Sequence, residues 1–254
     1  MAHIRVEDDP DAVGRAGASA RAEYERRRAT DEARRRALFG PLAPVVRLLA
    51  GPKPSTEAWR RGADGEERVG HWLDHAVGRL GIVLHDRAVP GRRANIDHIA
   101  VVPSGIWVID TKHYRGRLER RELGQGWFVP RPRLVVAGRD QGRLVTASRR
   151  QQALVAEALL ADEPVGGSGS PVRSALCFTG VQVGLFTRPF TLEGVLVTWP
   201  RPFARSLRAS GPLGPAERRV LAARLARAFP PYAPGGDYAP GGTSHRPTGA
   251  SPRR

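Results

Sequence analysis

Apolar residues recur along the chain in two periods, and the switches between them outline most of its elements. From Glu66 to Leu80 the residues Val69, Trp72, Leu73, Ala76, Val77 and Leu80 fall at helical spacing, after the glycine-rich stretch Gly62-Ala63-Asp64-Gly65. That pattern predicts a turn and then a helix that Glu66 opens. Apolar runs of strand length follow at 82–89, 95–102 and 106–114, with Pro103-Ser104-Gly105 as a hairpin turn between the last two. Residues 116–121 and 126–136 read as shorter, more exposed strands. Leu154, Val155, Ala158 and Leu159 mark one face of a helix over 148–161. Gly166-Gly167-Ser168-Gly169-Ser170 is a loop, and two apolar strands are expected at 172–178 and 194–199. A last amphipathic helix spans 215–229, with Pro215 suited to its first turn. The order helix, strands, helix, strand, strand, helix belongs to an α/β domain with a central mixed sheet.

The flanks lack that periodicity. Residues 1–55 read as a charged, partly helical arm, since 10–39 interleave acids and bases and favour helix with a thin apolar stripe. A solvated spacer is the expected role, and the short apolar patch at 41–50 is expected to dock on the main domain. The compact domain is assigned to 56–229. Beyond it, Tyr232-Ala233-Pro234-Gly235-Gly236 and Tyr238-Ala239-Pro240-Gly241-Gly242 are near-copies in a Pro/Gly/Arg tail, expected to be disordered over 230–254.

Composition adds a partner. A net charge of +16 and a pI near 11.4 suit a polyanion, most simply nucleic acid. Cys177 is the only cysteine, so the chain forms no intrachain disulfide and no zinc finger. It lies in the apolar run Ala175-Leu176-Cys177-Phe178, as a buried thiol would. The first residues lack a signal-peptide core and no run is long enough to span a membrane, so a cytoplasmic protein is expected.

Lys53 and Lys112 are the only lysines among 41 basic residues, and Lys112 closes the run Gly105-Ile106-Trp107-Val108-Ile109-Asp110-Thr111-Lys112. On a strand Asp110 and Lys112 share a face. Arginine replaces a compact, tunable ammonium poorly. Asp97 lies inside the preceding strand, where burying a charge is costly without a partner or a metal. If Pro103-Ser104 is a two-residue loop, Val102 pairs with Gly105 and Asp97 faces Asp110, with about 5 Å between side chains. A three-residue loop, which proline in its first position favours, would set Asp97 opposite Thr111 and on the wrong face unless a bulge restores it. In the first register Asp97, Asp110 and the Thr111 carbonyl can hold Mg²⁺ or Mn²⁺, with Glu66 completing the shell or holding a second water. Lys112 would orient the attacking water and offset charge on the phosphorane, which is metal-assisted hydrolysis. His98 and His113 alternate in face from Asp97 and Lys112 and are expected to pack or meet solvent. His71 and His75 are four apart on a helix but lack a third zinc ligand.

Gly62-x-x-Gly65-Glu66, Asn95-Ile96-Asp97-His98 and Gly105-Ile106-Trp107-Val108-Ile109-Asp110-Thr111-Lys112-x-Tyr114-x-Gly116 together resemble the NERD (nuclease-related domain) family. That family is related to the PD-(D/E)xK restriction-endonuclease-like nucleases. The resemblance covers about residues 57–118 and continues more loosely through Gln151 and Gln152 to the strands around Cys177 and Val197. It implies a restriction-endonuclease-like core, dependence on a divalent metal, and DNA as partner in processing or repair. Glu66, Asp97, Asp110 and Lys112 match the family's catalytic set. Gln151 resembles its helix-start glutamine, with Gln152 competing for the place. Asp110 stands where many relatives carry glutamate, and Ala147-Ser148 where Asn-Pro is usual. Two functions follow: a metal-dependent nuclease acting on DNA, or a catalytically silent nucleic-acid-binding or scaffold module that keeps the fold.

Overall fold

Strands whose side chains are apolar on both faces must be covered on both faces. β1 (Ile82–Ala88) is buried at every position and β2 (Asn95–Val102) at all but its first. The computed structural model describes residues 10–39, 54–92, 94–123, 131–161 and 171–233. The predicted apolar patch at 41–50, the glycine loop at 166–170 and the tail from 234 onward lie outside the described residues.

After β2 come β3 (Gly105–Leu123), β4 (Arg131–Val136), β5 (Arg139–Asp140), β6 (Val172–Gln182), β7 (Phe190–Leu192) and β8 (Val195–Thr198). The helices are α1 (Pro10–Val13), α2 (Ala18–Phe39), α3 (Pro54–Val77), α4 (Gly142–Leu160), α5 (Pro200–Leu207) and α6 (Pro215–Ala228). The eight-stranded sheet runs β1-β2-β3-β6-β8-β7, with β4 and β5 added on the outer part of β3. β3–β6 and β6–β8 are parallel and the other pairs antiparallel, so the sheet is mixed as predicted. One face is covered by α3 and α5 through Val69, Leu73, Phe203 and Leu207 against Ala100, Trp107 and Ile109. The other is covered by α4 and α6 through Val155, Leu159, Leu221 and Leu225 against Ile99, Val101 and Val108. The result is an α/β fold with a restriction-endonuclease-like core.

Several elements differ from the periodicity. Gly62-Ala63-Asp64-Gly65 is no turn: α3 runs from Pro54 through it, and Glu66 lies inside the helix. Gly65 and Gly70 serve close approach instead, while Gly62 faces open space. A Cβ on Gly65 would lie 3.3 Å from His113 Cβ, and one on Gly70 would lie 2.3 Å from Ala16 Cβ. Packing outweighs the helix cost of glycine, about 1 kcal/mol per residue. The strands expected at 106–114 and 116–121 are one strand, β3, whose ladder with β6 shifts between His113 and Gly116. Gly116 there has φ +105°, and a Cβ on it would meet Ala137 at 2.7 Å. Helix α4 begins at Gly142, earlier than the predicted 148, and its first turn buries Val145. The short elements β7 and α5 carry too few residues for a period to show.

The arm is joined to the domain rather than a solvated spacer. Ser19 and Ala20 are buried, Arg21 of α2 pairs with Glu67 of α3, and a Cβ on Gly17 would lie 3.0 Å from the Ala63 carbonyl oxygen. Farther along, Arg26 and Arg27 pair with Glu23 and Arg36 with Glu32, so the outer turns of α2 satisfy their own charges in solvent. At the other terminus residues 230–232 continue the sheet edge. Ala88 N–H donates to the Pro230 carbonyl, and Tyr232 N–H donates to the Asp86 carbonyl at 2.9 Å.

Candidate active site

The hairpin has the two-residue loop: Val102 pairs with Gly105, and the ladder runs to His98 opposite Ile109. Gly105 (φ +133°) makes this possible, because a Cβ there would sit 2.6 Å from the Pro171 carbonyl oxygen. One step past the last pair, the same register sets Asp97 opposite Asp110. Asp97, Asp110, Thr111 and Lys112 are all buried. Lys112 Nζ donates to Asp110 Oδ1 at 2.6 Å, and Thr111 N–H donates to Asp97 Oδ2 at 2.8 Å. The Asp97 carboxyl also lies beside that of Asp110. Glu66 approaches from α3. The residue is half-buried, but its Oε1 is enclosed and has no protein partner.

This crowd of acids sets the protonation. Burial, then the charges of Asp97 and Asp86, holds Glu66 well above the usual carboxylate range, opposed by Lys112. Burial and the neighbouring Asp110 do the same to Asp97, opposed by Lys112 and the Thr111 N–H. Burial alone would pull Lys112 down, but Asp110, Asp97 and Glu66 outweigh it and leave the ammonium more firmly protonated than an ordinary lysine. The site therefore holds a firmly protonated ammonium beside two carboxyls, Glu66 and Asp97, that give up their protons less readily than ordinary ones.

Asp86 is the residue that sequence reasoning missed. In the β1–β2 ladder His85 pairs with His98 and Arg87 with Ile96, and the pairing breaks between them, where Asp86 and Asp97 would meet. Asp86 sits there at φ +46°, in the left-handed region that aspartate tolerates better than most residues. Its Oδ2 accepts the Ser19 N–H at the start of α2, and its Oδ1 accepts from Asn95 Nδ2 at 2.8 Å. A carboxylate from the sheet thus caps the arm helix, where the helix dipole favours negative charge. Nothing local in the sequence signals this, because the partner lies 67 residues away.

Gln151 lies on α4 and donates from Nε2 to the Asn95 carbonyl at 3.2 Å, and its Oε1 is enclosed without a partner. Gln152 turns to the Val172 carbonyl at the start of β6. Gln151 therefore reaches the strand that carries Asp97, and Gln152 does not. The Thr111 hydroxyl is likewise buried and unpartnered.

The other candidates separate from the cluster. His98 packs against His85, with 3.0 Å between their Nδ1 atoms, and His85 Nε2 contacts Asp74 at 2.9 Å. His113 meets the Thr179 hydroxyl at 3.0 Å. His71 and His75 are exposed. Cys177 is free and buried, and burial pushes its thiol up to about 12, which suits packing and not nucleophilic attack.

A mixed eight-stranded sheet covered by helices on both faces is consistent with a restriction-endonuclease-like core, and Asp97, Asp110 and Lys112 lie where β2 and β3 part. Residues 61–179 match the family model of the nuclease-related domain, NERD. That match spans a little under half of the chain and takes in α3 from Arg61, β1 to β5, α4 and most of β6. No curated protein and no solved structure matches it. Among the described residues no helix is long and apolar enough to cross a membrane.

Proposed function

We propose that the chain is a divalent-metal-dependent nuclease that hydrolyses phosphodiester bonds in DNA. The observation that supports this best is the buried Asp97–Asp110–Lys112 group, with Glu66 Oε1 beside it and unpartnered. Structural ion pairs seldom gather three carboxyls, those of Glu66, Asp97 and Asp110, around one ammonium.

Mg²⁺ or Mn²⁺ suits the donors, which are oxygens only. Asp97 and Asp110 would hold the ion, with Glu66 and the Thr111 carbonyl completing its shell. The ion would supply Lewis acidity toward the phosphoryl group. Taking it up would release the protons that Asp97 and Glu66 retain. Lys112 cannot act as a base while it stays protonated. Its N–H groups instead orient the attacking water and offset charge growing on the non-bridging phosphoryl oxygens. The P–O bond to the leaving oxygen breaks as the water oxygen bonds to phosphorus; the leaving oxygen keeps the bonding pair, and the proton lost by the water passes to solvent. Gln151 fixes β2 through the Asn95 carbonyl and acts as a positioning residue. The net charge of +16 favours a polyanionic substrate.

One observation favours a catalytically silent nucleic-acid-binding module instead. Among the described residues no three His, Cys, Asp or Glu side chains are set around a common point as a metal cage. Nicking of supercoiled plasmid in Mg²⁺, Mn²⁺ and EDTA decides between them. Metal-dependent nicking by wild type that Asp110→Asn abolishes supports the nuclease. Tight DNA binding by wild type with no nicking in any metal supports the silent module, and equal nicking by Asp110→Asn overturns the site.

A further inference from the structure

Two large apolar side chains project from the protein at one turn. Leu185 and Phe186 are 99% and 95% exposed. They are the central residues of the turn Gly184–Thr187, which is closed by the Thr187 N–H donating to the Gly184 carbonyl at 2.9 Å. Central turn positions ordinarily take Gly, Pro, Asn, Asp or Ser. A tight turn also denies its central side chains any core to fold back onto. Adjacent leucine and phenylalanine held outward by hydrogen-bonded backbone form a small apolar projection awaiting a partner.

The topology says where this projection stands. β6 runs parallel to β3 with Phe178 beside Lys112 and Gln182 beside Arg117, and the turn follows two residues later. Four strand positions separate Phe178 from Gln182, about 13 Å. The turn therefore lies beyond the same end of the strands at which Asp97, Asp110 and Lys112 cluster. Basic side chains accompany this end: Arg115, Arg117 and Arg188 are exposed, Arg117 Nη2 lies 3.9 Å from a Cβ placed on Gly184, and Arg117 Nε pairs with Glu119 at 3.5 Å.

Resting on the nuclease reading above, we propose that the Gly184–Thr187 turn is a nucleic-acid contact of that site. Phe186 stacks on an unpaired or displaced base, Leu185 packs beside it, and Arg115, Arg117 and Arg188 take the flanking phosphates. An aromatic face stacks on any base, and an apolar side chain can enter a base step and unstack it. A nucleic-acid strand lying across this end of the sheet reaches the turn and the acid cluster together. A lipid bilayer meeting the turn would instead cover the end from which the cluster is approached.

The test uses full-length protein in EDTA at moderate salt, a single-stranded oligonucleotide carrying 2-aminopurine, and a blunt duplex of the same sequence. Both apolar residues are exposed, so their substitution leaves folding intact. Phe186→Ala should weaken single-strand affinity about tenfold, the loss of one stacked base. It should abolish the change in 2-aminopurine emission and leave the salt slope unaltered. Phe186→Trp should restore both. The Leu185→Ala/Phe186→Ala double variant that binds single strand as wild type does overturns the inference while leaving the nuclease reading standing. Loss of binding to anionic phospholipid vesicles, or loss of self-association in sedimentation, with oligonucleotide binding unchanged, assigns the turn to a membrane or to a second copy and also overturns it. Wild type that binds no nucleic acid in either form overturns both readings.

Discussion

Two buried acid–base neighbours lie a few strands apart, and they are used in opposite ways. On β1, Asp86 and Arg87 send their side chains to different partners, and every contact is a structural one. Arg87 is fully buried, and its guanidinium donates to four carbonyls: Phe229 at 2.7 Å, Ala12 at 2.7 Å, Val13 at 3.3 Å and Ala226 at 3.0 Å. It thereby ties the N-terminal arm and the end of α6 to one strand. Asp86 is satisfied by Ser19 and Asn95. On β3, Asp110 and Lys112 turn to each other, amid a surplus of acids and the unpartnered atoms Glu66 Oε1 and Thr111 Oγ1. Buried charge with its hydrogen bonds complete holds a fold together. Buried charge left incomplete is poised for a ligand.

That contrast can be broken most sharply by exchanging loss of activity for loss of stability. Asp97→Asn, Asp110→Asn or Lys112→Ala should each lower nicking by about three orders of magnitude with DNA affinity kept, since under the proposed mechanism each removes a group that acts on the reacting phosphate. Lys112→Arg should rescue poorly. Equal nicking by any of these variants would place the chemistry elsewhere.

Arg87→Ala should do the reverse. Removing one partner from a buried, hydrogen-bonded charge network costs about 3–5 kcal/mol, read as a lower denaturation midpoint. Arg87→Lys should recover little, because a single ammonium cannot span carbonyls from two termini. Unchanged stability would show that Arg87 is not the clasp between them.

Removing residues 1–53 deprives Asp86 of the Ser19 N–H and Arg87 of two carbonyls. The melting temperature should fall by roughly 5–10 °C, against the expectation from composition that the arm is dispensable. Ser19→Pro, which a first helical turn tolerates, should reproduce part of the fall by deleting the N–H that Asp86 accepts and the hydroxyl that accepts from Asn95. A truncated protein that melts with full-length protein would return the arm to the role of spacer.

The smallest effect concerns pH. Glu66 and Asp97 have raised pKa values, so the folded, metal-free protein binds more protons than the unfolded chain in the window above the ordinary carboxylate range. Their ionisation therefore costs stability as pH rises through that window, and the cost is absent at lower pH. Glu66→Gln should melt roughly 2–4 °C above wild type at neutral pH, with the gap closing near pH 4. A constant gap across pH would mean that Glu66 does not share the charge of the cluster.

The sequence by itself determined the parts that depend on neighbours in the chain. Strand alternation put Asp110 and Lys112 on one face, the lone lysine in a strand marked the site, and the apolar runs named β1, β2, β3, β6 and β8 before any contact was known. It left the hairpin register open, because proline favoured one turn and the paired acids another. The tertiary structure decided it: Gly105 passes so close to Pro171 that the two-residue loop with φ +133° fits. Tertiary structure alone also decided that Gly65 lies within a helix against His113, that Gln151 and not Gln152 reaches β2, and that the arm helix is capped by Asp86. In each case the determining contact joins residues far apart in sequence. A periodic pattern reports which face of an element is buried and carries no information about what will be pressed against it.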